Sequence, residues 1–310
     1  MNRLAVAAAV LVVAGTAACG PIRGDETPVD AGTAPAPPYP TDPILIRVDT
    51  GADNPPERRS SVFVLTPGSD ARRQITDSGS DASPKWSHDR KRIVFNRNEN
   101  DVNNTYTVNA DGSGLTKIIE NVSGGRVTWS MDDKRLAFTR SVAGVNQIFV
   151  VEPGGSAPTQ LTRSTDEKDD PTWMADGRHI TYWVKRDGTR QIYALDVAKP
   201  SEPGRLIAGP QAGPVNDPAP SPDGKFVLYT RETGPGTSDI WIIGADGSNP
   251  HRLTSDPQRD MDPAWSPDGK WFAFVRGELH RPTIMVARVD GSGETLLTAS
   301  GAREGHPNWY

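Results

Sequence analysis

The sequence predicts an all-β fold: a six-bladed β-propeller of four-stranded antiparallel blades, closed by its C-terminal strand. Three observations predict it: a tryptophan-centred repeat of about 44 residues, a four-strand pattern inside each repeat, and complementary partial repeats near the two ends. Tryptophan marks the repeat at Trp86, Trp129, Trp173, Trp265 and Trp309. The steps are 43, 44, 92 and 44, and Pro220 fills the middle slot of the double step.

The last complete copy shows the elements in order. A first strand covers Ala264 to Ser266 and ends at Pro267-Asp268-Gly269. Proline presets φ, Asp bonds to nearby backbone and Gly accepts positive φ, so this is a turn. Trp271 to Val275 is aromatic and β-branched, which suits a second strand. Thr283 to Ala287 forms the third, followed by the hairpin pair Asp290-Gly291, and a short fourth ends at Leu296-Leu297-Thr298. Other copies match part by part. Ile93-Val94-Phe95 and Leu136-Ala137-Phe138 stand in second strands, Gln147 to Val151 and Gln191 to Leu195 in third strands, and Leu161-Thr162 and Leu253-Thr254 close fourth strands. No stretch keeps a helical period.

A unit of this size cannot bury two sheet faces alone, and radial stacking covers each sheet with the next. A solenoid of sheets is the alternative, but the partial repeats favour a ring. His306-Pro307-Asn308-Trp309-Tyr310 is a first strand with nothing after it. Ile44 to Val48 reads as a second strand, followed by Val62 to Leu65 and Gln74 to Thr76 as third and fourth. Fitting the tail into that opening unit gives six blades.

Asp262 to Lys270 and Asp217 to Lys225 carry the fullest copies of the motif, with weaker ones at Trp129 to Lys134, Trp173 to Arg178 and Ser87 to Arg90. These residues resemble the TolB-like β-propeller family, whose repeat has a Pro-x-Trp-Ser-Pro-Asp-Gly-Lys core and a later Asp-Gly-Ser turn. The resemblance covers residues 44–310. It implies the propeller fold and a repeat used by periplasmic envelope proteins, by accessory domains of peptidases and by some sugar-cleaving lyases. TolB itself places an α/β domain before its propeller; the roughly 24 residues between Cys19 and the first strand are too few for one.

The N-terminus reads as an export signal. Met1-Asn2-Arg3 is a short basic start, Leu4 to Ala18 is apolar and small, and Cys19 follows Thr16-Ala17-Ala18. Small residues before a cysteine resemble the bacterial lipobox, so residues 1–18 are expected to be a lipoprotein signal peptide with Cys19 lipidated. Ordinary signal cleavage is the alternative, although Cys19 is the sole cysteine and an unpaired thiol is unusual after export. A diacylated residue anchors stably in a membrane. Residues 19–43, rich in Pro and Ala, read as a semi-rigid tether, and residues 44–310 as the propeller. The expected location is the extracytoplasmic side of the bacterial cell membrane.

A net charge of −5 gives no electrostatic footprint for nucleic acid. No Gly-x-Ser-x-Gly elbow, phosphate-cradling Gly-rich loop or His-Glu-x-x-His occurs, so no catalytic residue and no cofactor is assigned. The histidines His88, His179, His251, His280 and His306 are scattered, with only His306 in a channel-facing repeat slot. By resemblance, lyases of this repeat family that cleave acidic oligosaccharides use several histidines around a metal. The oxygen-rich stretches 98–104 and 166–170 lack the spacing of a calcium loop and read as solvated loops.

Superposing the repeats exposes one further constellation. Three residues before each tryptophan slot stand Ser83, Arg126, Asp170, Asp217, Asp262 and His306. A blade's first strand is innermost, so these six should ring a mouth of the channel and form the candidate ligand-binding site. Two residues further upstream, Asp81, Gly124, Lys168, Val215, Asp260 and Glu304 are expected in loops over the same face. Asp residues that cap their own turns are the structural alternative. Unlike charges around a repeat scaffold mark where function is inserted. The ring is expected to have one acidic side and one mixed side. The sequence therefore points to a monomeric, membrane-anchored platform for a protein, peptide or envelope ligand. A metal-dependent carbohydrate lyase or hydrolase, or a sensor of a small ligand or cation, is the alternative.

Overall fold

The computed structural model describes residues 37–51, 59–69, 71–155, 157–200, 202–277, 281–298 and 301–310. Cys19, the expected signal peptide, most of the tether and His280 lie outside the described residues. The chain opens with β1 (Ile44–Thr50), β2 (Arg59–Leu65) and β3 (Arg72–Gln74). Blade two is β4 (Asp81–Trp86), β5 (Arg92–Glu99), β6 (Val102–Asn109) and β7 (Thr116–Ile119). Blade three is β8 (Ser123–Trp129), β9 (Leu136–Val142), β10 (Val145–Val151) and β11 (Thr159–Gln160). Blade four is β12 (Glu167–Trp173), β13 (His179–Arg186), β14 (Thr189–Asp196) and β15 (Arg205–Ala208). Blade five is β16 (Val215–Pro220), β17 (Phe226–Gly234), β18 (Thr237–Gly244) and β19 (His251–Arg252). Blade six is β20 (Asp260–Trp265), β21 (Trp271–Arg276), β22 (Thr283–Arg288) and β23 (Thr295–Leu296). The last strand, β24 (Arg303–Asn308), pairs antiparallel with β1 and completes blade one in the order β24-β1-β2-β3. The six sheets have four strands each, and the ring is closed as the sequence predicts.

The motif residues act locally. In the turn after the first strand, the Ser266 hydroxyl donates to Asp268 Oδ1 and accepts the Trp271 N–H, while Asp268 accepts the Lys270 N–H. Ser87, Ser130 and Ser221 repeat the arrangement with Asp89, Asp132 and Asp223. The threonine ending each of four blades has an equally specific task. Thr76, Thr162, Thr254 and Thr298 accept the N–H of Val62, Ile148, Ile240 and Ile284 through their hydroxyls. A fourth strand of two or three residues thereby stays attached beyond its own ladder.

First strands begin earlier than the sequence reading placed them, because each contains a bulge. Ala82 pairs with Asn96 and Lys85 with Val94, so Ser83 and Pro84 face Phe95 alone. Asp170-Pro171, Asp217-Pro218 and Asp262-Pro263 do the same opposite Tyr182, Tyr229 and Phe274, and His306-Pro307 opposite Ile46. Proline suits a bulge, where its missing N–H is not needed by the ladder. The residue before it takes φ of 49–55° in these five blades. Aspartate and histidine are among the side chains that tolerate that left-handed region best. Blade three lacks the proline; Gly124 takes φ 84° and a longer bulge spans Ser123 to Thr128.

Each face opposite a bulge is filled: Ile46, Phe95, Phe138, Tyr182, Tyr229 and Phe274 are fully buried. Blades then lock to their neighbours. Arg92 stacks over Trp129 at 4.4 Å and Arg135 over Trp173 at 4.7 Å, each joining one blade to the next. Trp309 is completely buried with Ile44, Ile46 and Trp271, and its indole N–H donates to the Asp42 carbonyl at 2.9 Å. Replacing Trp309 with Ala is expected to lower unfolding free energy by roughly 3–5 kcal/mol. Equilibrium denaturation measures this, and a variant of unchanged stability would contradict a ring closed through this side chain.

Candidate functional site

The bulges aim the six slot residues into the channel, and their geometry differs from a ring of separate charges. Arg126, on blade three, reaches across the axis. Its Nη2 lies 3.0 Å from Asp217 Oδ1 and 2.6 Å from Asp262 Oδ1, on blades five and six. Its Nε is 3.8 Å from Asp170 Oδ1 on the adjacent blade. The acidic arc that the sequence reading left open is therefore tied to one buried guanidinium. The carboxylates have further partners: Trp183 donates its indole N–H to Asp170 at 3.0 Å, and the Thr230 hydroxyl donates to Asp217 at 2.7 Å. His306 links the cluster to blade one. Arg47 Nη1 donates to its Nε2 at 3.0 Å, which places the ring proton on Nδ1, 3.4 Å from Asp262 Oδ2. Ser83, the remaining slot, is buried.

The upstream set is not in loops over this face. Asp81, Lys168, Val215, Asp260 and Glu304 lie at the starts of inner strands and are almost wholly buried. Asp81 takes a bidentate pair from Arg97, Asp260 one from Arg276, and Glu304 a contact from Arg72. The antiparallel pairing of first and second strands brings Arg97 to Asp81 and Arg276 to Asp260, while Arg72 reaches Glu304 from the outermost strand of blade one.

Burial sets the protonation of the cluster. It pushes the Asp170 carboxyl up to about 8, against the pull of Arg126, and neighbouring Asp169, Asp217 and Asp262 add to the rise. Burial also raises Asp217, with Asp262 contributing. Asp262 goes the other way: burial opposes its charge, but the His306 ring beside it, the hydrogen-bonded Arg126 guanidinium and Lys85 together hold it below the usual carboxylate range. Burial would weaken the charge on Arg126, but Asp217, Asp170 and Asp262 raise its pKa further. Burial drops His306 to about 4 despite Asp262, leaving a neutral ring at neutral pH.

Beyond this cluster, toward the turns that follow the first strands, the channel widens into a funnel. It encloses about 680 Å³, part of it open to solvent. Arg126 and Lys85 lie in its lining, Trp86, Trp129, Trp173 and Trp265 form its wall, and His88, Met131, Ala175 and Tyr310 stand toward its rim. Adjacent turns touch around that rim: a Cβ on Gly224 would meet Ala175 at 3.4 Å. The sequence reading missed Lys85. Its signal was present two residues after the slot, where the repeats read Lys85, Thr128, Thr172, Ala219, Ala264 and Asn308. Of the other histidines, His88 pairs with Asp133, His179 with Asp176, and His251 is exposed. Among the described residues no group of three or more His, Cys, Asp or Glu is arranged to hold a metal ion.

Two outcomes follow from the cluster. In Arg126→Met the three carboxylates lose their guanidinium, and a loss of roughly 3–5 kcal/mol in unfolding free energy is expected; a loss under about 1 kcal/mol would show the contacts to be weak. Asp170 has a folded pKa of about 8 against an unfolded value near 4, so the native state holds a proton that the unfolded chain releases. Its stabilising contribution is full below about pH 4 and is lost as pH rises to about 8. Asp170→Asn keeps an acceptor for Trp183 and does not ionise. The melting temperature of the wild type relative to this variant should fall steadily across that range; a flat difference would contradict the assignment.

Comparison with known proteins agrees with this architecture. Residues 120–234 match the TolB beta propeller domain. An uncharacterized protein of Agrobacterium fabrum is 32% identical over 148 residues, 44% of this chain and 49% of that protein. The Tol-Pal system protein TolB of Anaeromyxobacter dehalogenans is 34% identical over 95 residues, 31% of this chain and 21% of that protein. The chain thus spans about half the length, or less, of these curated relatives. Among solved structures, TolB from Acinetobacter baumannii superposes with a TM-score of 0.76 at 18% identity, covering 86% of this chain and 66% of that one. A putative TolB from Agrobacterium tumefaciens superposes with a TM-score of 0.64 at 20% identity, covering 84% and 90%. The match to the TolB beta propeller domain covers residues 120–234, and the superpositions extend the propeller fold over most of the chain.

Proposed function

We propose that the protein is a lipid-anchored, extracytoplasmic propeller that binds a protein or peptide of the cell envelope through its funnel. The observation that carries this reading is the division of the channel. The ionic cluster fills its middle, while the funnel, backed by buried tryptophans and prolines, opens to solvent past partly exposed Lys85, Met131, Ala175 and Ala219. A concave, largely apolar surface with a few polar groups is the usual form of a recognition site. The Tol-Pal name carried by relatives supports an envelope setting, and the small-residue run before Cys19 supports the anchor. The slot residues Ser83, Arg126, Asp170, Asp217, Asp262 and His306 then set the shape and floor of the site. A histidine-metal centre for carbohydrate cleavage finds less support, since three of the four described histidines lie in turns or outer positions.

Site-specific photocrosslinking in cells tests this. A crosslinker at Met131 or Ala175, on the funnel rim, should capture an envelope protein. One at Gly144, on a hairpin at the opposite end of the blades, should not. Cys19→Ala should move the protein from the membrane to the soluble extracytoplasmic fraction. Capture only from Gly144 would transfer the site to the other face, and a membrane-bound Cys19→Ala variant would remove the anchor.

A further inference from the structure

The funnel wall presents one cation that lacks a close counter-ion among the described residues. Lys85 is partly exposed, lines the funnel, and makes no hydrogen bond or close ion pair among the described residues. The indole N–H groups of Trp86, Trp129 and Trp173 are buried behind the wall, and Trp265 in the equivalent slot donates to the Ala219 carbonyl at 2.7 Å, so Lys85 is the donor that the funnel offers. Acceptors in the wall are already engaged. Asn308 Oδ1 accepts the Trp86 backbone N–H and the Ser221 hydroxyl accepts the Phe226 backbone N–H, while the Thr128 hydroxyl donates to the Pro171 carbonyl. The carboxylates of the cluster are turned toward Arg126.

We infer that the funnel binds a carboxylate next to an apolar residue of a partner peptide, with Lys85 as its counter-ion. This rests on the reading of the funnel as the binding face. A ligand acceptor satisfies Lys85, while the apolar neighbour packs against Ala219, Met131 and Tyr310 toward the rim. A sugar acid is the competing occupant, and competition by glucuronate tells it from a peptide acid. Lys85 feels Arg126, Asp262, Asp170 and Asp217, with His306 beyond Asp262 and the His88–Asp133 pair at the rim. Burial, with Arg126 beside it, drops its pKa to about 7. An incoming anion favours the ammonium, so binding is coupled to proton uptake above that pH.

Tryptophan fluorescence titration of the full chain tests the inference with three peptides: Ac-Ala-Ala-Phe with a free carboxylate, its amide, and Ac-Ala-Phe-Glu-Ala-amide. Glucuronate serves as competitor. At about pH 6 a carboxylate peptide should bind roughly tenfold or more tighter than the amide, as a charge-assisted contact provides. Which of the two acids wins distinguishes a chain terminus from an acidic side chain. Lys85→Met should erase the preference and Lys85→Arg should retain part of it. The preference should shrink toward about pH 8.5, while amide binding stays constant. Equal binding of acid and amide, a preference intact in folded Lys85→Met, or equal competition by glucuronate would each overturn the inference. Crosslinked capture from Met131 that persists alongside such a result would leave the platform standing and remove only the carboxylate.

Discussion

The structure depends on a bulge in the innermost strand of each blade, two residues for one in five blades and longer in blade three. In five blades a slot residue with positive φ precedes a proline, and the pair faces one bulky residue on the second strand. A regular strand would alternate its side chains between blade faces. The bulge breaks that alternation and turns one side chain toward the axis. It also selects residue type, since Asp and His accept the left-handed region more readily than branched or bulky side chains. Three of the five positions are aspartate, so backbone geometry alone gathers carboxylates in the channel. Gathered acids repel, and the exceptional blade supplies the remedy. Its longer bulge, built with Gly124 and without proline, sends Arg126 across the axis to meet them.

Ring closure and construction of the channel are one event. The closing strand β24 carries His306 into the ionic cluster, Asn308 into the funnel wall and Trp309 into the core between blades. Asn308 accepts the Trp86 N–H, so blade two is bonded to the strand that ends the chain. Tyr310 follows at the rim, where its ring meets His88 edge-on at 5.7 Å. A ring that opened at this seam would lose core, cluster and rim together. Contacts between residues so distant in sequence carry a high loop-closure cost, which makes the seam the natural place for slow folding steps.

Much of the fold was legible because its signals repeat. The tryptophan spacing, the Ser-x-Asp turn and the terminal threonine each recur, so one poor copy, such as Pro220 or Met174, does not hide the pattern. The split blade was legible for the same reason. The bulge was not, because Asp-Pro reads as turn chemistry in isolation, and strand starts were consequently placed too late. Charges were harder still. That Asp81, Lys168 and Asp260 are buried depends on arginines and carbonyls brought close by strand pairing. Arg126 could be assigned to the ring from its repeat position, but its reach across the axis depends on side-chain length and channel width. Lys85 was overlooked because attention rested on a single slot of the repeat.

Neutralisation of the slot ring bears on where specificity resides. A guanidinium held by three carboxylates has little capacity left for a ligand, and displacing it would expose a buried acidic cluster at a cost of several kcal/mol. The ring is thus suited to fixing the blades' angular positions and the depth of the funnel. The next tier toward the turns has no such internal debt. Its residues, Lys85, Thr128, Thr172, Ala219, Ala264 and Asn308, differ in size and polarity around the axis, and among the described residues Lys85 makes no hydrogen bond or close ion pair. Substitution there changes what the funnel presents without unbalancing the charges beneath it. The bulged residues are committed to one another, so the tier beside them is where the side chains vary without disturbing the bulge geometry.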